Sequence, residues 1–313
     1  MNQIEFLKIE NNILKTFGDY RNKTNKEKTV IVENLKTSFK INNILEVLNL
    51  KRSTYYKCKK QKADKDIYIK NLILGEFLKS NKTYGYRRIT YSLNNMGLKI
   101  NHKKVYRLMK TLQIKSIYQK KQNHYITCYK VRNFNTQNLL QGNFYAEKPC
   151  QKWVTDITEF SICGRKIYFS PIIDLFNQEI ISYSIFKTPS ITPVLNMIDS
   201  ACGKIHLNNN LILHTDNGWQ YKNNLFKNKI NEYKLKHSVS RPGKCHDNAI
   251  AENIFGIIKK EFVFSNKFTS FQEFRKSFEE YIFYYNNIRI KNKFKTSPVK
   301  YKAHFELNNA YNF

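Results

Sequence analysis

Three things are scarce in this sequence. No apolar run approaches the roughly 18 residues that cross a bilayer. The best, Ile172-Ile173-Asp174-Leu175-Phe176, has a carboxylate inside it, so a membrane-spanning chain is not expected. The opening Met-Asn-Gln-Ile-Glu-Phe-Leu-Lys carries no apolar signal segment either. Cysteine is sparse: the six (58, 128, 150, 163, 202, 245) are scattered with no Cys-x-x-Cys, which supports neither a disulfide framework nor a zinc site. They read as reduced thiols of a cytoplasmic protein.

Acid is the third scarcity. Asp and Glu total 24 against 54 Lys and Arg, a formal net charge of +30. Such a charge repels itself in a compact fold and is retained where a polyanion binds it, which makes nucleic acid the expected partner. Disorder is excluded, because 41% of the 313 residues are hydrophobic and 14% aromatic.

The charge is uneven. Residues 51–150 carry 23 basic and 4 acidic side chains, and residues 151–200 carry 4 and 5. Helical spacing gives way to short apolar strands at the same place, near Pro149. This predicts a helical segment over 1–40, suited to oligomerisation, a basic DNA-binding region over 41–137 and a linker over 138–150. A catalytic domain over 151–305 and a tail over 306–313 follow.

Two helix–turn–helix units are expected in the basic region. In the first, Ile41, Ile44, Leu45 and Leu48 line one helix and Asn49 suits a left-handed turn. Ser53 would cap a second helix whose outer face offers Tyr55, Lys57 and Lys59. In the second unit, Ile89 and Leu93 face inward, Gly97 ends the helix and Asn101 caps the next. Val105, Leu108, Met109 and Leu112 form that helix's buried stripe. Arg87, Arg88, Lys103, Lys104, Arg107 and Lys110 would be left facing a phosphate backbone. A plain helical hairpin is the alternative for each unit.

From Trp153 the pattern predicts three strands (153–160, 166–174, 179–186), a helix (192–203), a strand (211–214), a helix (225–235) and a strand (237–240). Two long helices, 248–261 and 271–288, close the domain. That is the element order of the ribonuclease H fold, an α/β architecture with a mixed five-stranded sheet. Asp156 within the first strand, Asp216 after the fourth and Glu252 early in a late helix fall where that fold gathers its carboxylates. Phosphoryl transfer on DNA calls for two Mg²⁺ ions about 4 Å apart, held by hard oxygen ligands. Asp174 is a further acid, better read as a turn residue. Glu252 taken alone also reads as a solvent-facing helix acid.

Three blocks then carry a specific resemblance. They are Trp153-Val154-Thr155-Asp156-Ile157-Thr158, His214-Thr215-Asp216-Asn217-Gly218-Trp219-Gln220-Tyr221 and Asp247-Asn248-Ala249-Ile250-Ala251-Glu252-Asn253-Ile254-Phe255. Together they resemble the catalytic blocks of insertion-sequence transposases of the OrfB type, which carry a retroviral-integrase-like DDE core. The last two acids stand 252 − 216 − 1 = 35 residues apart, the D,D(35)E spacing. Tyr84-Gly85-Tyr86-Arg87-Arg88-Ile89 and Val105-Tyr106-Arg107-Leu108-Met109 resemble the family's helix–turn–helix region. Lys259 and Glu261 resemble the Leu-Lys-x-Glu that follows the family's catalytic Glu, with Ile258 in place of Leu, and Tyr284-Tyr285-Asn286-Asn287, Arg289, Ser297-Pro298-Val299 and Tyr301 resemble its C-terminal signature. Trp219 departs from the family, which often has a small residue there, as do Cys245 and His246; the zinc module of retroviral integrases has no counterpart.

The resemblance implies Mg²⁺-dependent strand cleavage and strand transfer, with Asp156, Asp216 and Glu252 catalytic and metal-binding and Mn²⁺ a stand-in for Mg²⁺. Arg241, Lys244, Lys259 and Lys260 would join Arg87, Arg88, Lys103, Lys104 and Arg107 on DNA phosphates. His214 and Asn217 would support the acids from behind or position DNA, a buried strand-end histidine being an equal reading of His214. The expected partners are element-end and target DNA, further copies of this chain, and an upstream helix–turn–helix reading-frame product, fused or associated. Two rivals share these features: a nuclease of the same fold that joins nothing, and a non-catalytic DNA-binding regulator.

Overall fold

A computed structural model describes residues 2–59, 65–117, 137–203, 210–241 and 248–310. The chain divides into two compact units, 1–68 and 69–313. The first contains helices α1 (Gln3–Phe17), α2 (Asn25–Leu35), α3 (Ile41–Val47) and α4 (Arg52–Lys59). Thr24 and Glu27 close a capping box at the start of α2. Asn49 takes the left-handed turn between α3 and α4 with φ 48°, as its residue type allows. Two expectations fail in α4. The helix already includes Arg52, so Ser53 lies within its first turn. Tyr55 is fully buried and donates to Glu33 at 2.5 Å, leaving Tyr56 as the exposed ring.

The second unit opens near α5 (Ile67–Lys79) and continues with α6 (Tyr86–Asn95) and α7 (His102–Thr111). Gly97 ends α6 at φ 89°, where a Cβ would be strained, and the Leu98 N–H returns to Leu93 O at 3.1 Å. The Asn101 side chain caps α7 by accepting from Lys103 N–H at 2.9 Å. Ile89, Leu93, Val105, Leu108 and Met109 form the buried seam. This second helical pair lies in the same compact unit as the sheet that follows, not in a basic domain of its own.

Segment 138–150 is packed on the core: Leu140, Ala146 and Cys150 are buried, and Leu139 N–H donates to Ser238 Oγ at 2.9 Å. The sheet has strands β1 (Lys152–Thr155), β2 (Thr158–Ile162), β3 (Arg165–Asp174), β4 (Ile180–Phe186), β5 (Ile212–Thr215) and β6 (Lys236–Val239). Thr155 faces Ile172 and Thr158, three residues on, faces Phe169, three residues back along β3, so β1 and β2 are one line of strand broken at Asp156-Ile157. The break falls opposite Ser170 and Pro171, and Pro171 has no N–H to continue a ladder. Counting that line once gives the five-stranded order β4–β3–β1/β2–β5–β6, antiparallel on the β4 side and parallel between β1, β5 and β6.

Period-two alternation sends Trp153 to one face of the sheet and Val154 to the other. Helices α8 (Thr192–Cys202) and α10 (Asn224–Glu232) cover the Trp153 face. The Val154 face is covered by α11 (Ala249–Ile258), a π-turn (Lys259–Val263) and α12 (Phe271–Asn287). Phe160, Phe169, Phe262, Phe274 and Phe278 interlock there, with Phe169 and Phe278 edge-to-face at 4.9 Å. A short helix α9 (Trp219–Lys222) follows β5, and α13 (Pro298–Ala310) carries helix into residues expected as a tail.

Candidate active site

The parallel pairing of β1 with β5 builds the centre of the site. Trp153 faces Leu213 and Val154 faces His214, an offset of 60 that, continued past the strand ends, sets Asp156 beside Asp216. Neighbouring strands lie about 4.8 Å apart, so the two carboxylates meet at the C-terminal ends of the strands. Both are half-buried in a cavity of about 350 Å³ that also involves Ile157, Tyr168, Pro189, Trp219 and Tyr221. Burial first, then the Asp216 and Glu252 charges, raise the Asp156 pKa, opposed by the Ile157 N–H at 2.7 Å and the Asn248 amide. Burial raises Asp216 as well, opposed by the Gly218 N–H at 3.0 Å and by Lys222. A Cβ on Gly218 would stand 2.9 Å from Asp216 Oδ1, so a larger residue there would displace that carboxylate oxygen.

Glu252 sits in the first turn of α11, exposed, and its charge reaches Asp156. The structure thus unites the two aspartates and leaves Glu252 farther out. Among the described residues no three Asp, Glu, His or Cys side chains gather closely enough to hold a metal. The donor set nevertheless suits a hard cation. Besides the paired carboxylates, Asn217 and Asn248 have buried amide oxygens without a hydrogen bond of normal geometry. Asn248 was not singled out from the sequence. It stands at the N-cap of α11, the usual place for such a residue, yet its side chain makes no cap bond. The signal available was its position four residues before Glu252, on one helical face.

His214 is fully buried and faces no DNA. Its Nε2 lies 3.0 Å from Ser240 Oγ and its Nδ1 2.8 Å from Ser238 Oγ. Ser240 Oγ donates to the Thr215 carbonyl at 3.1 Å, which can only accept. Its hydrogen being spent, a neutral His214 carries its proton on Nε2 and accepts at Nδ1. The ring stitches β5 to β6 two residues before Asp216. His237 Nε2 lies 3.0 Å from Thr215 Oγ1, and burial lowers its pKa to about 4, which keeps it neutral.

The basic residues divide. Arg87, Lys103, Arg107 and Arg241 are exposed, Lys104 and Lys260 half-buried, and Lys244 lies outside the described residues. Arg88 corrects the reading from sequence: its guanidinium turns inward to Glu261 at 3.3 Å, with its side chain 16% exposed. Glu261 is also gripped through two 2.6 Å bonds by Arg289, which is fully buried. Lys259 is half-buried, its ammonium 6.0 Å from the centre of the Phe160 ring and its pKa lowered by burial. Asp174 is the last residue of β3, and its carboxylate fixes the turn that follows by accepting from Cys150 N–H at 2.7 Å and Phe176 N–H at 2.9 Å. Burial raises its pKa to about 6.

Known proteins place this arrangement. An integrase core domain family matches residues 146–245 and a second one residues 252–305, and an HTH-like domain family matches residues 63–122. InsK of insertion sequence element IS150 from Escherichia coli K12 is 39% identical over 275 residues, 87% of this chain and 96% of InsK. The transposase InsF of insertion sequence IS3A from the same organism is 27% identical over 262 residues, 82% of this chain and 90% of InsF. A solved structure of the HTLV-2 integrase catalytic core domain with magnesium superimposes with a TM-score of 0.42 at 17% identity, covering 50% of this chain and 99% of that one.

The class is that of polynucleotidyl transferases built on an integrase core. Within it, the chain belongs to the insertion-sequence transposases of the OrfB type, and its general function is DNA transposition.

Proposed function

We propose that the chain cuts and joins DNA strands at the cavity of Asp156 and Asp216, in a Mg²⁺-dependent reaction completed by Glu252. The observation that carries this is the β1–β5 register, which sets two carboxylates side by side where burial penalises the charge of each. A bound divalent cation would neutralise that charge, activate a nucleophilic oxygen and stabilise the leaving one. Asp156, Asp216 and Glu252 would hold it, with Mn²⁺ able to replace Mg²⁺. The chain's own residues do the positioning. The Gly218 and Ile157 N–H groups fix one oxygen of each aspartate, and the His214–serine stitch fixes the end of β5. In-line displacement at phosphorus needs no covalent enzyme intermediate, so no serine or tyrosine nucleophile is required.

Arg87, Lys103, Lys104, Arg107, Arg241, Lys244, Lys259 and Lys260 would bind backbone phosphate, and pairing two element ends calls for at least two copies of the chain on DNA. The test is a Mg²⁺-dependent cleavage and joining assay on a labelled duplex carrying the DNA that flanks the gene. Wild type should yield cleaved and joined products, and Glu252→Gln should lose both while still binding the duplex. Cleavage without joining would favour a nuclease. Binding with full function in Glu252→Gln would favour a regulator.

A further inference from the structure

Trp219 is 53% exposed at the rim of the aspartate cavity, three residues after Asp216. An indole is among the costliest side chains to leave in water, and the fold had the means to bury one here. Tyr221, two residues on in the same short helix, is 2% exposed. The Gly218 N–H bond to Asp216 ties this turn to the carboxylate, which keeps Trp219 close to the cavity. Among the described residues no other ring stacks on it. Ile157, Tyr168 and Pro189 extend the apolar surface around the same cavity. Carboxylates and metal need no such wall to handle a phosphate. A flat aromatic face suits the other half of a nucleotide.

We infer that Trp219 stacks on a nucleobase next to the scissile phosphate and so positions the DNA strand over Asp156 and Asp216. This rests on the proposed active site and adds the substrate group that one of its residues would grip. Base–aromatic stacking tolerates any base, so the contact sets strand placement more than sequence. The base belongs to the element end or to the target duplex, and the experiment separates them.

The protein offers its own probe. It has two tryptophans, and Trp153 is fully buried, so changes in exposed-indole emission report on Trp219. Full-length protein would be titrated with an element-end duplex with frayed terminal nucleotides and, separately, with an unrelated closed duplex, binding being followed by anisotropy of labelled DNA. Quenching by the first duplex alone assigns the base to the element end. Quenching by the second alone assigns it to the target, and quenching by both to a shared subsite. Trp219→Ala should abolish the quench and raise KM for cleavage about tenfold, the loss falling on KM more than on kcat. Trp219→Phe should recover most of that KM, which a merely structural role would not predict. DNA bound without quenching, or a Trp219→Ala KM equal to wild type, overturns the inference. Wild type that quenches on binding but never cleaves overturns the catalytic reading and leaves the stacking contact standing. A chain that binds neither duplex overturns both.

Discussion

At the scale of single residues, the site holds its acids against their own preference. Asp156 is half-buried beside a second carboxylate and within reach of a third, and each raises its pKa. Replacing it with a neutral side chain removes charge repulsion. Asp156→Asn keeps an oxygen for the Ile157 N–H, so it should stabilise the metal-free protein by about 1–2 kcal/mol at pH 7. Thermal unfolding would rise by about 3 °C or more, while cleavage is lost. A melting temperature below wild type would show that the carboxylate supports the fold. Asp174 gives a pH-dependent counterpart away from the site. Its folded pKa of about 6 lies above the ordinary carboxylate value of 3.8, with burial outweighing the two N–H bonds that favour the charge. Its stabilising contribution is therefore full below about pH 4 and is lost as pH rises through 6. Urea unfolding should show wild type losing up to about 3 kcal/mol relative to Asp174→Asn between pH 4 and 7. A difference that does not vary with pH would contradict this account.

At the scale of elements, one buried carboxylate ties three segments. Glu261 sits in the π-turn that extends the Glu252 helix, and it is paired with Arg289 after α12 and with Arg88 on α6. Its pKa is lowered despite burial, through those guanidiniums. Tyr84 accepts from Ile290 N–H at 2.7 Å, fastening the start of α6 to the same place. Two adjacent arginines therefore have different work. Arg87→Ala should reduce the slope of log binding constant against log salt by about 0.9, the value of one phosphate contact. Arg88→Ala should leave that slope alone and cost about 1 kcal/mol of stability instead. Anisotropy titrations at several salt concentrations, with melts of both variants, separate the two. An equal loss of slope would return Arg88 to the DNA surface. The spacing of Arg87 and Arg88 in the sequence could not distinguish them, because a helix turns 100° per residue and only a partner's position says which side is covered.

At the scale of the whole molecule, much was legible from the chain alone. Net charge and helical spacing pointed to DNA, and the residue types at Asn49, Gly97 and Asn101 announced their turns and cap, because left-handed backbone and orphan N–H groups admit few side chains. The order of strands and helices in the core also followed from local periodicity. Boundaries between units did not. The shift in composition near Pro149 marks a change of secondary structure, whereas the compact units part at residue 68, since folding units are decided by packing and not by charge.

The sequence by itself determined the family and the general order of elements in the core, because these are carried by residue type and spacing along one dimension. Only the tertiary structure decided that the first strand breaks at Asp156, that Asp156 meets Asp216 through a parallel pairing of distant strands, that Arg88 turns inward to the buried Glu261 carboxylate, and that Tyr55 is buried with its hydroxyl on Glu33. It also placed Asn248 at the aspartates and left Trp219 open beside them. Each of these depends on which segments become neighbours. A burial or pairing energy belongs to two pieces of chain at once, and no local pattern contains its other half.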